Sequence, residues 1–224
     1  MMVAEWFLYF IAYSVLGYIL EIVFCAIWDK KIQNRGFLFG PVCPIYGCGA
    51  LLVLLSYRLL QWPWWGMFFA GMILCVTLEY LTSYWMEKLF HVRWWDYSKA
   101  TPLNINGRVA LEPAVLFGVG GLLIIYLVQP GLEFLVMSLP KILVLILAGV
   151  LFTIFIIDTV MSTLAAIAIK GEIIKGVKIE LTPEIKKFAR DYYRKHKRVE
   201  RKVARKTKRA TKKARRRVAK TKRD

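Results

Sequence analysis

The stretch KILVLILAGVLFTIFIIDTVMSTLAAIAI, residues 141–169, decides the fold. After Lys141 its one ionisable residue is Asp158, and it exceeds the roughly 20 apolar residues that cross a ~30 Å hydrocarbon layer. Such a run is a transmembrane helix. Working back toward the N-terminus, apolar runs bounded by Gly, Pro, Asn and charge fall at 111–128, 64–86, 42–60 and 5–28. The sequence therefore predicts an all-α, polytopic bundle of five transmembrane helices over residues 1–169, a multi-pass protein of the cell membrane. Residues 170–224 are different in kind. The chain carries 33 Lys+Arg against 15 Asp+Glu, a net charge of +18, and the entire excess lies from Lys170 onward, while basic and acidic residues balance before it. A soluble enzyme is excluded, and the tail is predicted to be a basic cytoplasmic appendage, helical or disordered.

The connections fix an orientation. Lys30, Lys31 and Arg35 lie in the first connection, Lys88, Arg93, Lys99 and Arg108 at the third, and the basic tail follows the fifth span. The positive-inside rule puts all three in the cytoplasm. The N-terminus is then outside, together with the short turn at Gln61, Trp62 and Pro63 and the connection holding Glu133. Trp62, Trp64 and Trp65 suit an interfacial aromatic belt. The N-terminal apolar run lacks a basic leader and cleavage site, so it is expected to be a retained helix. Cys25, Cys43, Cys48 and Cys75 show no CxxC or metal-ligand spacing and are expected to be packing residues, with no metal and no cofactor.

Three carboxylates fall inside spans: Glu21, Glu79 and Asp158. A charged group near a helix centre costs about 2.5 kcal/mol or more, so each should face a partner or a wet cavity. Gly71, Cys75, Glu79, Ser83 and Glu87 recur at intervals of four and form one small, polar stripe. Ser14, Gly17, Glu21 and Cys25 do the same on the first span. The predicted orientation sets Glu21 and Glu79 in the inner half of the bilayer, with Arg35 and Arg108 at that face. Such stripes also serve as plain interhelical packing, but three acids on three spans point to an inward-facing polar cavity.

Two connections on the cytoplasmic side are distinctive. The first, NRGFLFGP followed by CPIYG, is too apolar for a solvated loop and too rich in Gly and Pro for a helix, which fits either a re-entrant segment or a tight interfacial turn. The other holds WWDY at 94–97 and NINGR at 104–108, whose Asn-Gly pair is a turn signal. In the order NRGFLFGP–CPIYG, LEY–MEKLF–WWDY, NINGR, the chain resembles the CmpB-like ABC transporter permeases of type IV over most of residues 5–130. The resemblance implies a transport permease. It marks Glu21, Asn34, Arg35, Gly36, Pro41, Pro44, Tyr46, Glu79, Tyr80, Glu87, Trp94, Trp95, Asp96, Tyr97, Asn104, Asn106 and Arg108 as positions that matter. With Asp158 added for its depth, the candidates for a cavity or substrate site are Glu21, Asn34, Arg35, Tyr46, Glu79, Tyr80, Glu87, Asp96, Asn104, Asn106, Arg108 and Asp158. No catalytic residue is assigned.

Nothing in the chain resembles GxxxxGK[ST], so a permease of this sequence needs a separate ATPase subunit, and with five spans and no internal repeat it is expected to oligomerise. The alternative is a membrane-embedded enzyme or binding protein for a lipid-linked or anionic substrate, in which Glu21 or Glu79 handles protons and Arg35 or Arg108 holds the anion. Against it stand the lack of a nucleophile with a paired base and a histidine count of 2. An insertase of the Oxa/YidC type shares the architecture, but the first connection is too short for its cytoplasmic hairpin. Thr182, Pro183 and Glu184 mark a helix start in the tail. The tail's density of Lys and Arg needs a polyanion, and anionic membrane lipid, RNA and an acidic protein all fit. Proximity favours lipid.

Overall fold

The computed structural model describes residues 2–28, 37–90, 95–98 and 101–173. Asn34, Arg35, Trp94 and the basic tail beyond Ile173 lie outside the described residues. Helix α1 is Met2–Trp28, α2 Pro44–Leu60, α3 Trp64–Phe90, α4 Leu111–Leu123, α5 Gln129–Ser138 and α6 Lys141–Ile173; a π-helical turn, Ile124–Val128, joins α4 to α5. Residues Met1–Thr163 make one compact unit, and Leu164–Asp224 a second that is described only through the last turns of α6.

Four stretches are long and apolar enough to cross a membrane: Met2–Val23, Trp64–Leu89, Leu111–Ser138 and Lys141–Leu164. Helix α2 is apolar but shorter. The expected five spans thus resolve into four long apolar helices and one short one. Their outward faces carry large aliphatic and aromatic side chains, such as Leu127 at 69% and Phe134 at 74% exposure, as helices facing hydrocarbon should.

Helices α1 to α4 pack in turn as antiparallel neighbours, and small residues set the spacing. The Cys43 N–H, just before α2, donates to the Ser14 carbonyl at 2.9 Å, pinning the start of α2 to the middle of α1. Gly17 lies under the Tyr46 ring, and Gly47 sits against Ser14 and the Phe10 carbonyl. A side chain at either glycine would force the helices apart. Gln61 ends α2 in the left-handed conformation (φ 47°), its N–H bonded to the Tyr57 carbonyl, and Pro63 then starts the turn into α3. Further on, α3 and α4 cross at Gly71 and Gly121, with Val53 of α2 packed over both. The buried core is built around Tyr9, Tyr13, Val53, Leu54, Met67 and Ile125. Helix α6 joins through Phe152 and Phe155, whose rings meet Phe7 and Phe10 edge-on.

Two sequence expectations need correction. The fourth span does not end at 128: the helix continues through Gln129 and Pro130 to Ser138, so Glu133 is helical rather than in a connection. Proline lacks an N–H and its ring clashes with the carbonyl four residues back. The π turn immediately before Pro130, in which the Gln129 N–H reaches the Ile124 carbonyl, widens the helix where that clash would fall. The second correction is that the Asn-Gly turn closes a small antiparallel hairpin, β1 Asn104–Ile105 with β2 Val109–Ala110, inside an otherwise helical protein. Asn106 (φ 54°) and Gly107 (φ 68°) take the left-handed conformation that this reversal requires.

Candidate polar site at the hairpin end of the bundle

Alternating helix direction brings the end of α1, the start of α2, the end of α3 and the start of α4 to one end of the bundle, where the hairpin also lies. Glu21, on α1, accepts the Tyr46 phenol of α2 at 2.7 Å. Glu79, on α3, accepts the Tyr97 phenol at 3.0 Å. The two acids lie within electrostatic reach of each other, as do the two tyrosines. Each carboxylate is therefore met by a phenol from another part of the chain. Glu79 is 6% exposed, and its second oxygen, Oε2, has no hydrogen-bond partner among the described residues.

A few residues on along α3, the polar groups are tied to the hairpin. Arg108 Nη2 lies 2.6 Å from Glu87 Oε2, and Nη1 donates to Ser83 Oγ at 3.2 Å. The guanidinium also lies over the rings of Tyr80 and Tyr84. Asn106 Nδ2 donates to the Tyr80 hydroxyl at 3.2 Å. Asn104 works locally, giving an N–H to the Thr101 carbonyl and accepting one from Gly107. The Trp95 indole donates to the Arg108 carbonyl, the Tyr97 N–H donates to that of Gly107, and Asp96 accepts the Ser98 N–H. Arg35 or Arg108 was expected as the partner of Glu21 and Glu79, and of these only Arg108 is among the described residues. It pairs instead with Glu87, because the short hairpin holds its guanidinium beside Ser83, one turn of helix beyond Glu79.

Asp158 belongs to a different arrangement. Its Oδ1 and Oδ2 accept the backbone N–H groups of Phe39 (3.0 Å) and Gly40 (2.9 Å), while Ser162 Oγ accepts from Phe39 at 3.1 Å and donates to Oδ1 at 3.2 Å. Two backbone N–H groups of the irregular segment before α2 are thus satisfied by side chains of α6. Asn34 and Arg35 fall outside the described residues.

The opposite end was not anticipated as a site. There the Tyr13 phenol donates to Gln129 Oε1 at 2.8 Å with both residues buried, and Arg58 lies 3.5 Å from Glu133 and over the Trp6 ring. Two adjoining cavities of about 340 and 300 Å³ open beside Tyr57, Arg58 and Tyr126. Sequence reasoning missed Tyr13 and Gln129 because Gln129 precedes a proline and reads as a loop residue. Among the described residues no cluster of His, Cys, Asp and Glu could hold a metal ion.

A family model described as Putative ABC-transporter type IV matches residues 8–163, well over half of the chain. No curated protein and no solved structure matches it.

Proposed function

We propose, because the chain belongs to the family described as Putative ABC-transporter type IV, that this multi-pass membrane protein is the permease subunit of a transport system and draws its energy from a separate ATPase chain. The observation that carries the reading is the convergence of Glu21, Tyr46, Glu79 and Tyr97 from separate elements on one end of the bundle. Polar groups of that kind inside apolar helices are costly and mark pathways for polar cargo. In this reading the cluster opens toward the cytoplasm during transport, and Tyr80, Glu87, Asp96, Asn104, Asn106 and Arg108 form the hairpin-side wall of the entrance.

Five crossings are part of the proposal. Helix α2 has 17 residues, about 26 Å at 1.5 Å per residue, near the lower limit for a span. It starts beside Ser14 and Gly17, at the middle of α1, and ends with Arg58 over Trp6, so it runs back antiparallel along the first half of α1. With the N-terminus outside, the hairpin and the tail are cytoplasmic. The tail then lies against the anionic inner leaflet, where each basic residue gains on the order of 1 kcal/mol, and further copies of the chain complete the translocation path.

Purification of the full chain in mild detergent, with identification of what comes with it, tests the reading. An ATPase subunit in fixed stoichiometry is the expected result. A stoichiometric lipid with no ATPase would replace it with the lipid-linked enzyme.

A further inference from the structure

Glu79 presents two unlike oxygens. Oε1 accepts the Tyr97 phenol at 3.0 Å, whereas Oε2 has less than 1 Å² of accessible surface and no hydrogen-bond partner among the described residues. As an ionised group it would hold half of a delocalised charge with neither water nor a donor against it, inside a helix long enough to cross hydrocarbon. No described cation neutralises it. The guanidinium of Arg108 is taken up by Glu87. The described titratable groups that act on Glu79 or feel it are Glu21 from α1, Tyr97 from the segment before the hairpin, and Cys75 on its own helix. None of these can supply a positive charge.

Space decides what kind of positive charge the site can take. A metal ion or an ammonium group needs a shell of ligands around Oε2, and there is no room there even for a water molecule. A proton needs none. The Tyr97 hydrogen bond also distinguishes the oxygens as a carboxylic acid would: the oxygen that accepts the phenol acts as the carbonyl, leaving the bare one as the hydroxyl.

We infer that Glu79 is a proton-binding site, so that the transport step proposed above is coupled to proton movement as well as to its energy-supplying partner. Oε2 is itself closed to water, so its one O–H bond forms with a proton relayed from water and breaks by returning the proton along the same route; no electrons change hands. Glu21 is partly exposed and within electrostatic reach, so it is the acid through which the proton passes. The coupling rests on the permease reading. The proton site itself does not.

Infrared spectroscopy of the full chain in lipid nanodiscs at neutral pH tests the site without cargo or partner. The expected result is a protonated carboxylic C=O band that shifts in heavy water, is lost completely in Glu79→Gln and is retained in Glu21→Gln. In Tyr97→Phe the band should move to higher frequency, because the carbonyl loses its donor; this variant keeps the test available should Glu79→Gln fail to insert. The inference is overturned if no such band exists, if it survives Glu79→Gln, or if it appears only when Arg35 is replaced by Gln, which would identify Arg35 as the counter-ion. A normal band in a chain that binds no ATPase would keep the proton site and discard the permease reading.

Discussion

Replacing Asp158 by alanine should loosen a segment more than a hundred residues away in sequence. In the folded protein Oδ2 accepts the Gly40 N–H at 2.9 Å, and Oδ1 shares the Phe39 N–H with Ser162 Oγ. Alanine leaves Phe39 with the serine as acceptor and deprives Gly40 of its carboxylate. A buried N–H left unpaired costs about 1–3 kcal/mol. At 1.4 kcal/mol per tenfold, opening of the segment should become roughly 5- to 150-fold more frequent. Hydrogen exchange followed by mass spectrometry on peptides covering residues 37–42, with the chain in nanodiscs, reads this directly, and peptides from α3 serve as the internal reference. Asp158→Asn keeps one acceptor oxygen and should show a smaller rise. Gly40→Ala should show a rise with the acid still present, because its Cβ would fall 2.9 Å from Oδ2 and push the carboxylate away. Unchanged exchange across 37–42 in Asp158→Ala would refute the reasoning, and so would a uniform rise that includes α3, since that would mean general unfolding rather than release of one segment.

Gly47→Ala should cost about 1–3 kcal/mol of stability, the usual penalty of overpacking, because its Cβ would overlap Ser14 Oγ and lie 2.6 Å from the Phe10 carbonyl, which cannot swing aside. Gly149→Ala, with nothing within 4 Å of its Cβ, should be neutral or slightly stabilising, and thermal denaturation of both in one detergent compares them. For topology, Trp62→Cys in a chain without its native cysteines should react with an impermeant thiol reagent applied outside intact cells; protection of that site would reverse the proposed orientation.

Helix count and bounds were largely legible because apolar runs and their breakers are local signals. The four-residue stripe on α3 also identified Glu79, Ser83 and Glu87 as one face, and two of these hold Arg108 in the structure. Less legible was which basic group each acid would meet. Depth alone placed Arg108 near Glu79, whereas the hairpin register, Asn104 opposite Ala110, fixes it beside Glu87. Asp158 looked like a cavity residue because its ligands are backbone N–H groups, which carry no side-chain signature. The extension through Pro130 was invisible for a similar reason: a proline in an apolar run signals a stop, and a widened turn that tolerates it leaves no mark in composition.

That widened turn gives the fourth long helix two facings. Five residues, Ile124–Val128, wind with the broader pitch, so the chain beyond them falls behind an uninterrupted α-helix by about 100°, close to one residue's rotation. The half before the slip keys into α3, through Gly118 under Phe68 and Gly121 against Gly71. The half after it addresses the first two helices, through Gln129 to Tyr13 and Glu133 to Arg58. A single continuous stripe could not serve both sets of neighbours, and the surplus residue acts as a built-in swivel, letting one rod mesh with two differently aimed partners.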